Sequence, residues 1–428
     1  MIKTILIVID GATDGIRFRP TSLELAYTPG LDTLAQYAVG GCFHPIDPGT
    51  PPESDAAVFS ILGYDPKNIN IGRGILEALG VGIKIREGYE VAFRANFATI
   101  DPSTLRILDR RVGRNLSSEE AKELAKALDG MELGVYDGYA KVVATIGHRA
   151  VVIIGSRSKK LSANVSNTDP AYEREGRISV ALKSFDPTVS PCRPLDDSEE
   201  AKITCELVNV FTSKAIDILE KHIVNIKRAE KGLLKANVLL LRDAEDRVPS
   251  IQPIKEVYGK SFGIIAEMPV EIGIGVLLGM DISRVSISGT LEDMYRERVE
   301  KTLELLNRND VVYVHLKGPD EPGHDGDKKR KVISIEAIDR YYIQPLIKSI
   351  DLNNVVVIVT SDHCTPPELK AHSGDAVPFI VAHKRLKKFD GFTRFTEAEC
   401  CTKGSLGVFE RGHMVLNKIF SLLKVDYS

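Results

Sequence analysis

The chain has 428 residues, 43% of them hydrophobic and 27% charged, so it can bury a sizeable core and is long enough for two or three domains of about 150 residues each. Its 56 basic and 59 acidic residues give a net charge of −3, which argues against a general nucleic-acid-binding protein, since such proteins need a basic excess. No apolar run approaches the ~18–20 residues of a membrane-spanning helix, and Asp10 interrupts the apolar amino terminus too early for a signal peptide. We therefore expect a cytoplasmic protein without a membrane or nucleic-acid partner.

Three short apolar runs, rich in valine and isoleucine, lead into acidic residues and predict strands buried on both faces. They are Thr4–Ile9 before Asp10, Val311–Val314 before Asp320, and Val355–Val359 before Asp362. Helical spacing of apolar residues separates these runs, at Leu23–Tyr37, Leu291–Arg308 and Ser334–Ile350. Because strands and helices alternate, we predict an α/β fold with a doubly wound, mostly parallel sheet. Ligands of such sheets bind beyond the carboxyl ends of the strands, so the three aspartates are expected to meet at one edge.

The middle of the chain has shorter apolar runs, separated by arginine-rich turns. These runs are Val91–Phe97, Lys141–Thr145, Ala150–Ile154 and Val238–Leu241. The pattern predicts a second, smaller α/β domain inserted into the first. We place the first domain at residues 1–75 and 251–428, and the insert at residues 76–250.

Three histidines accompany the three aspartates. His324 lies four residues after Asp320 in a loop rich in glycine and proline. His363 directly follows Asp362, and His372 opens the loop before another apolar run. Carboxylate oxygens and imidazole nitrogens form a ligand set that suits one or two divalent ions, such as Mn²⁺, Zn²⁺ or Mg²⁺. The alternative is that the aspartates cap helices or turns and the histidines lie on the surface, which predicts no clustering at one edge.

Ser54 stands where a helix is expected to begin, between a proline-rich segment and the apolar-periodic Ala56–Leu62. Serine is a preferred N-cap, so the hydroxyl could simply cap this helix. Alternatively, it is a nucleophile that a metal ion and the positive end of the helix activate. The spacing alone favours the cap.

Six segments, in order along the chain, carry a family resemblance. They are Asp10-Gly-Ala-Thr-Asp-Gly, Thr50-Pro-Pro-Glu-Ser-Asp, Gly72-Arg-Gly, Lys317-Gly-Pro-Asp-Glu-Pro-Gly-His-Asp-Gly-Asp, Thr360-Ser-Asp-His and His372-Ser-Gly-Asp-Ala-Val-Pro-Phe. Together they resemble the motifs of the archaeal-type cofactor-independent phosphoglycerate mutases of the alkaline phosphatase superfamily. The resemblance covers nearly the whole chain, through to Lys403-Gly-Ser-Leu-Gly.

The resemblance implies interconversion of 2-phosphoglycerate and 3-phosphoglycerate, in glycolysis and gluconeogenesis, without 2,3-bisphosphoglycerate. It also implies that Ser54 becomes phosphorylated and that two divalent metal ions line the site. The metal is usually Mn²⁺ in this family, while Mg²⁺, Co²⁺ or Zn²⁺ would suit the same ligands. The residues that match one metal site are Asp320, His324 and His372, and those that match the other are Asp10, Ser54, Asp362 and His363. Lys317 lies beside this cluster, where it either takes part or is solvated.

The insert is expected to hold the substrate, because arginine binds a carboxylate or phosphate through two parallel hydrogen bonds. The substrate-binding candidates are Arg94, Arg111, Arg114, Arg242 and Lys260, of which Arg111 and Arg114 best match the family. The chain departs from the family at Arg242-Asp-Ala-Glu, where members have Arg-Gly-Ala-Gly, and at Asp169-Pro-Ala, where many have Asp-Pro-His. Exposed salt bridges are the alternative for all the candidate side chains.

Other functions remain open beside the mutase. A metal-dependent phosphatase or phosphodiesterase would use the same metal core, although the long arginine-bearing insert counts against simple hydrolysis. A sulfatase would need a formylglycine within its own motif, and Ser54 lacks that context. A non-catalytic metal-binding or scaffold protein is disfavoured because a complete ligand set accompanies a candidate nucleophile.

The cysteines show no Cys-x-x-Cys pair and no spacing typical of a disulfide framework; they are Cys42, Cys192, Cys205, Cys364, Cys400 and Cys401. We expect mostly buried thiols in a reducing cytosol. The chain has only three glutamines beside many Ile, Lys and Glu residues, which is typical of a thermophilic source.

Overall fold

The computed structural model describes residues 3–69, 71–176, 178–286 and 288–426. The chain divides into two compact units. Unit 1 comprises Met1–Ile69, Ile251–Glu267 and Ile274–Ser428, and unit 2 comprises Asn70–Ser250 and Met268–Gly273. None of the helices in the described residues combines the length and apolar character needed to cross a membrane.

The described strands, in chain order, are β1 (Lys3–Ile9), β2 (Ala38–Phe43), β3 (Glu90–Asp101), β4 (Arg106–Asp109), β5 (Met131–Glu132), β6 (Gly138–Ala144), β7 (Arg149–Ser156), β8 (Tyr172–Glu175), β9 (Ile178–Ala181), β10 (Val238–Glu245), β11 (Phe262–Ala266), β12 (Asp281–Arg284), β13 (Val311–Leu316), β14 (Val355–Thr360), β15 (Val377–Ala382) and β16 (Gly407–Phe409). The described α-helices are α1 (Ser22–Leu25), α2 (Pro29–Gln36), α3 (Ser54–Ile61), α4 (Arg73–Gly80), α5 (Ser118–Lys126), α6 (Glu199–Glu220), α7 (Ile223–Glu230), α8 (Ile254–Tyr258), α9 (Pro269–Leu277), α10 (Leu291–Arg308), α11 (Asp320–Asp325), α12 (Lys328–Ile338), α13 (Gln344–Ser349), α14 (Glu397–Lys403) and α15 (Val415–Asp426).

The large sheet of unit 1 has the strand order β12-β11-β13-β1-β14-β15-β2-β16. Neighbouring strands are parallel except where β15 pairs with β14 and with β2. Helices cover both faces: Ile5 and Ile7 of β1 are buried in a core that includes residues of α2 and α10, whereas Leu6 lines a small apolar cavity with Ile419 of α15. The predicted α/β class with a mostly parallel sheet is confirmed.

The three strands predicted from apolar runs are present, with small extensions, as β1, β13 and β14. The helix predicted at Leu291–Arg308 is α10, with the same bounds. The helix predicted at Leu23–Tyr37 is wrong, because the chain breaks into α1 and α2 before Pro29. Proline has no amide hydrogen to donate and cannot continue a helix, but it fits the first position of a new one.

The helix predicted at Ser334–Ile350 is longer at its start and contains a π-helical turn, Asp339–Ile343, between α12 and α13. This turn carries the buried Asp339, whose carboxylate accepts hydrogen bonds from the backbone amides of Gly30 and Leu31 at 3.1 and 2.7 Å. Those amides belong to the first turn of α2, and the helix's own N-cap makes no side-chain bond. Asp339 therefore accepts hydrogen bonds from backbone amides in the first turn of α2, which have no acceptor within the helix itself.

The cysteines correct one sequence-based expectation. Cys42 of β2 and Cys401 of α14 form a disulfide, although 359 positions separate them. The other four cysteines are buried thiols, as expected. Sequence spacing could not reveal this pair because strand and helix are brought together only by the fold.

Unit 2 contains an antiparallel sheet of order β10-β3-β7-β6-β5, with β4 paired to β3. Alternate side chains of β3 face opposite sides of this sheet. Phe93 and Phe97 are buried in a core that includes Leu124 of α5 and Leu207 of α6. Arg94 faces the other side, where its Nε lies 3.1 Å from a carboxylate oxygen of Glu77 of α4. The substrate-binding role predicted for residues 76–250 stays a prediction.

Candidate active site

The carboxyl ends of three adjacent parallel strands carry the predicted aspartates. Within the sheet, Ile9 of β1 pairs with Leu316 of β13, and Val8 pairs with Thr360 of β14. The chain continues from these ends into Asp10, Asp320 and Asp362, and the structure brings all three carboxylates to one edge of the sheet.

Gly11 makes the close approach of these loops possible. Its φ is +58°, and a Cβ at this position would lie 2.7 Å from Oδ1 of Asp320. Its amide donates to Oδ1 of Asp362 at 2.9 Å. A glycine after Asp10 is therefore required both by the backbone conformation and by the space.

One group of ligand atoms gathers around Nε2 of His363, which is fully buried. Oδ1 of Asp10 lies 3.4 Å from this nitrogen, Oδ2 of Asp362 lies 3.3 Å from it, and Oγ of Ser54 also lies at 3.3 Å. The two carboxylate oxygens are buried and have no hydrogen-bond partner among the described residues. Acceptor atoms that converge in this way fit a bound cation, since a buried unpaired carboxylate oxygen is otherwise costly.

The electrostatics of this group also require positive charge. Burial, reinforced by repulsion from the Asp10 carboxylate, raises the pKa of Asp362 well above its usual range. Burial opposes ionisation of Asp10 too, but the Lys317 ammonium, 2.9 Å from Oδ2, holds the pKa of Asp10 below its usual range. A cation between the two carboxylates would allow both to ionise. Lys317 thus takes part in the cluster and is not a solvated surface side chain.

The second group consists of Asp320, His324 and His372. Nε2 of His372 lies 3.4 Å from Oδ1 of Asp320, and Nε2 of His324 lies 3.5 Å from Oδ2 of Asp320 and 3.1 Å from Nε2 of His372. Nδ1 of His324 donates to the Lys370 carbonyl and Nδ1 of His372 to the Pro52 carbonyl. These bonds turn both Nε2 atoms toward Asp320, which is the usual arrangement of metal-binding histidines.

Two features of this second group were not predicted. Asp320 and His324 lie in the short helix α11 and not in a loop, so their spacing of four places both side chains on one helix face. His363 also lies near this group: its ring stacks on that of His372 with centroids 3.7 Å apart, and its Nδ1 is 3.9 Å from Oδ1 of Asp320. Among the described residues, two sets could hold a metal ion, namely Asp10, Asp362 and His363, and Asp320, His363 and His372.

Ser54 does not cap α3. The N-cap is Glu53, which makes no side-chain capping bond, and Ser54 is the first helical residue. Its hydroxyl faces His363 at the helix start, where the positive end of the helix dipole favours an anion. The capping alternative therefore fails, and the Ser54 hydroxyl lies at the first ligand group.

Lys260 is not brought to this cluster. It precedes β11, at the amino ends of the parallel strands, whereas the ligand groups follow the carboxyl ends. Its ammonium lies over the ring of Phe420 of α15, 5.5 Å from the centroid. This placement argues against the predicted substrate-binding role of Lys260.

Two of the candidate arginines of unit 2 are not exposed salt bridges, since Arg242 is buried and the Arg94 side chain is only 14% exposed. Arg94 of β3 and Arg242 of β10 are opposite each other across the strand pair. The guanidinium of Arg242 lies 4.0 Å from the ring centroid of Tyr172 and 3.7 Å from Oδ2 of Asp169. Asp169 is already held by Arg110, which donates to its two oxygens at 3.1 and 2.6 Å. Arg110 was not predicted, because only the fold brings it to Asp169.

Arg111 and Arg114 lie on an exposed turn of unit 2, and neither forms an ion pair within the described ranges. The turn is strained: φ is positive at Val112, Gly113 and Arg114, with values of 53°, 63° and 57°. For a β-branched residue such as Val112 this conformation costs on the order of 1–3 kcal/mol, and such strain is concentrated at functional sites. The Asp109 carboxylate accepts from the backbone amides of Arg111 and Gly113 at 2.7 and 3.0 Å, and it forms no ion pair with either guanidinium group among the described residues.

The lowered pKa of His148 reflects both burial and the positive charge of this part of unit 2. Burial, together with the cationic side chains Arg149, Arg111, Arg114 and Arg94, lowers the pKa of His148 to about 4. A cluster of cations that depresses a neighbouring histidine pKa in this way is suited to bind an anion. The sequence offered no signal for His148 or Arg149 beyond their being basic.

Comparisons with known proteins agree on one family. A family model described as 2,3-bisphosphoglycerate-independent phosphoglycerate mutase matches residues 35–225. A protein of that name from Aeropyrum pernix is 46% identical over 428 residues, covering 98% of this chain and 99% of the relative. One from Archaeoglobus fulgidus is 38% identical over 426 residues, covering 98% of both chains.

Two solved structures resemble this chain over nearly its whole length, and one of them is a cofactor-independent phosphoglycerate mutase. The cofactor-independent phosphoglycerate mutase from Thermoplasma acidophilum is 30% identical, with a TM-score of 0.62 over 99% of both chains. A protein from Pyrococcus horikoshii is also 30% identical, with a TM-score of 0.76 over 99% of this chain and 97% of the other. The chain therefore belongs to the 2,3-bisphosphoglycerate-independent phosphoglycerate mutases, a family of isomerases.

Proposed function

We propose that this enzyme interconverts 2-phosphoglycerate and 3-phosphoglycerate through a phosphoserine on Ser54, without 2,3-bisphosphoglycerate. The observation that carries the proposal is the position of the Ser54 hydroxyl, 3.3 Å from Nε2 of His363 and at the start of α3. In the first transfer, the Ser54 hydroxyl loses its proton and Oγ bonds to phosphorus, while the bond from phosphorus to the glycerate oxygen breaks and that oxygen takes up a proton. In the second transfer, the other glycerate hydroxyl loses its proton and bonds to phosphorus, while the bond from phosphorus to Oγ breaks and Ser54 takes up a proton.

We infer that two divalent ions bind to the two ligand groups. Asp10, Asp362 and His363, with Ser54, would hold one, and Asp320, His324 and His372 would hold the other. When bound, the ions lower the pKa of the serine hydroxyl and screen the charge of the phosphoryl group. The mixed oxygen and nitrogen ligands suit Mn²⁺, Mg²⁺, Co²⁺ and Zn²⁺ alike, and we propose Mn²⁺ because it is the usual metal of the family that the motifs resemble.

Lys317 of unit 1 is proposed to support the same site. Its ammonium keeps Asp10 ionised, and its side chain is only 22% exposed, so its charge is poorly screened by water. Asp10 is thereby held in the form that binds a cation. This role is electrostatic and needs no proton transfer by the lysine.

The positive cluster of unit 2 is proposed to bind the substrate anion. Arg94, Arg111, Arg114 and Arg149 surround His148 closely enough to lower its pKa, and Arg111 and Arg114 are exposed. A guanidinium group can bind the carboxylate of glycerate through two hydrogen bonds and retain it between the two transfers. Retention distinguishes a mutase from a phosphatase, because glycerate that leaves allows water to attack the phosphoserine.

The competing function is hydrolysis on the same metal core. A coupled assay that starts from 3-phosphoglycerate, with Mn²⁺ present and 2,3-bisphosphoglycerate absent, separates the two. We expect 2-phosphoglycerate to form, activity to disappear after chelation, and Mn²⁺ to restore it. Release of free phosphate as the main product would instead identify a phosphatase. Within the proposal, the enzyme acts in the cytoplasm, in glycolysis or gluconeogenesis.

A further inference from the structure

The two ligand groups share a hydroxyl that belongs to neither. Thr365 is fully buried, and its Oγ1 lies 2.7 Å from Oδ1 of Asp320 and 3.0 Å from Nδ1 of His363. Asp320 and His363 are ligands in different proposed metal sites. Thr365 therefore contacts a ligand from each site.

The direction of the two hydrogen bonds follows from the number of protons. A hydroxyl has one proton, and an ionised carboxylate can only accept, so the Thr365 hydroxyl donates to Asp320. The same oxygen must then accept from Nδ1–H of His363. This leaves Nε2 of His363 with its lone pair directed at Oδ1 of Asp10 and Oδ2 of Asp362, as a metal ligand requires.

The backbone of Thr365 is held in place by two hydrogen bonds. Its amide donates to the Thr13 carbonyl at 2.9 Å, and its carbonyl accepts from the Lys331 ammonium at 2.8 Å. Lys331 is fully buried and pairs with Asp14 at 2.6 Å. The hydroxyl thus projects from a fixed segment that is bonded to the loop following Asp10.

The methyl group of Thr365 has a separate contact. Gly323 of α11 packs so closely that a Cβ there would lie 2.5 Å from the Thr365 carbonyl oxygen and 2.8 Å from its methyl carbon. Helix α11 carries both Asp320 and His324. Thr365 therefore fixes α11 by packing and Asp320 by hydrogen bonding.

We propose that Thr365 is a positioning residue that couples the two metal sites, by fixing the ring of His363 in one and the carboxylate of Asp320 in the other. This inference rests on the proposed metal-binding role of the two groups. A hydrogen bond of this kind, made to a ligand and not to the metal, typically changes metal affinity about 10- to 100-fold when removed. Because one hydroxyl serves both ligands, removing it should weaken both sites together.

The test replaces the hydroxyl with a group of the same size. Thr365→Val removes it, Thr365→Ser keeps it without the methyl, and Thr365→Ala removes both. Mn²⁺ alone is titrated calorimetrically into each chelator-stripped full-length protein. The matched control is Thr360→Val, since Thr360 is also buried and, within the described part of the chain, its hydroxyl bonds only to backbone carbonyls, at 2.9 and 3.2 Å.

We expect wild type to bind two Mn²⁺ ions and Thr365→Val to lose about 10- to 100-fold in affinity at both sites. Thr365→Ser should recover most of this loss, and Thr360→Val should bind as wild type does. If the valine variant does not fold, Thr365→Ala carries the same expectation, because a smaller side chain always fits. Unchanged affinity at either site in the variant that lacks the hydroxyl would overturn the coupling.

The outcome is independent of whether the catalytic proposal is correct. If wild type binds two Mn²⁺ ions but does not convert 3-phosphoglycerate, the proposed function fails while Thr365 can still be judged from affinities. If wild type is an active mutase and Thr365→Val binds both ions normally, the coupling fails alone. Wild type that binds no Mn²⁺ would overturn the coupling directly.

Discussion

At the scale of single residues, Ser54 shows how a local pattern can be misleading. Serine before an apolar-periodic run is the usual mark of an N-cap, yet the helix begins one residue earlier and the hydroxyl makes no capping bond. Its contact is His363, 309 positions away in the chain. Only the fold decides between the two roles.

This distinction gives the first prediction. Ser54→Ala should abolish mutase activity while the melting temperature stays close to that of wild type, because no capping bond is lost. The coupled assay and a thermal melt measure the two quantities on the same sample. Activity that survives the substitution would exclude a phosphoserine at this position.

A true N-cap provides the control. The Ser117 hydroxyl accepts a hydrogen bond from the Glu120 amide at the start of α5. Ser117→Ala should therefore lower the free energy of unfolding by about 1 kcal/mol and leave activity unchanged. The two variants together separate a chemical role from a capping role for the same residue type.

At the scale of elements, the strands were easier to predict than the helices. Runs of valine and isoleucine marked β1, β13 and β14 because strands of a covered parallel sheet are apolar on both faces. Asp10 and Asp362 could then be predicted as site residues because they follow the carboxyl ends of β1 and β14. The helical spacing of apolar residues continues across Pro29, although the backbone breaks there into α1 and α2. The spacing alone therefore predicted one helix where the structure has two.

The features of the site that could not be predicted from the sequence depend on contacts between residues far apart in the chain. The Asp320 and His324 pair was found from its spacing, but α11 was not, because its segment contains both proline and glycine. Thr365 lies two residues after His363, but its residue type and position do not show that its hydroxyl contacts Asp320. The pKa of His148 depends on burial, on the adjacent Arg149 and on arginines of two other segments, so chain neighbours account for only part of its shift.

Helix α14 shows how elements outside the site support it. Cys401 ties α14 to β2 through the disulfide with Cys42. Glu397 of the same helix accepts from the Asp14 amide at 3.0 Å and from the Thr21 hydroxyl at 2.7 Å. The helix thus holds the loop that follows Asp10, and the disulfide holds the helix. Disulfides of this kind do occur inside the cells of hyperthermophiles.

The disulfide gives the second prediction. Replacing both Cys42 and Cys401 with alanine should lower the free energy of unfolding by about 2–5 kcal/mol, because the cross-link restricts the unfolded chain. Thermal melts with and without a strong reductant measure this effect in wild type and in the double variant. Reductant should lower the melting temperature of wild type only. An equal response from both proteins would mean that the pair is not cross-linked in solution.

At the scale of the whole molecule, the near-zero net charge conceals two opposite local charges. Unit 1 gathers carboxylates and histidines at one sheet edge, whereas unit 2 gathers arginines around His148. The first arrangement attracts cations and the second attracts anions. Composition alone could exclude a nucleic-acid binder but could not show that the charges are segregated.

This division gives the third prediction. Arg111→Ala and Arg114→Ala should impair the mutase reaction much more than dephosphorylation of an aryl phosphate, which needs only Ser54 and the metal ions. Loss of one charge-assisted contact costs roughly 1.5–3 kcal/mol, or about one to two powers of ten in rate. Free phosphate should also increase as glycerate escapes. Steady-state rates on both substrates are compared with those of Arg106→Ala, an exposed arginine on β4. A parallel fall in both activities, or no change in either, would contradict the substrate-binding role.

The last prediction uses His148 as a reporter of anion binding. Its pKa in the folded protein is about 4, against an ordinary value of 6.5, so the folded state binds fewer protons than the unfolded state between these values. The contribution of His148 to stability is therefore fully present above pH 6.5 and is lost as the pH falls through 4. A bound phosphate or carboxylate would offset the repulsion from the arginines, and the pKa should rise toward its ordinary value.

The measurement is a pH titration of the histidine ring signals in isotope-labelled full-length protein, with His148→Asn used to assign the resonance. We expect saturating 3-phosphoglycerate to raise the His148 pKa by one unit or more, since about 1.4 kcal/mol of favourable interaction corresponds to one unit. In the Arg111→Ala, Arg114→Ala double variant the free pKa should already be higher, because two of the repelling cations are gone, and the ligand should raise it less. A His148 pKa that does not respond to 3-phosphoglycerate, in a protein that converts it normally, would place the substrate anion away from this cluster.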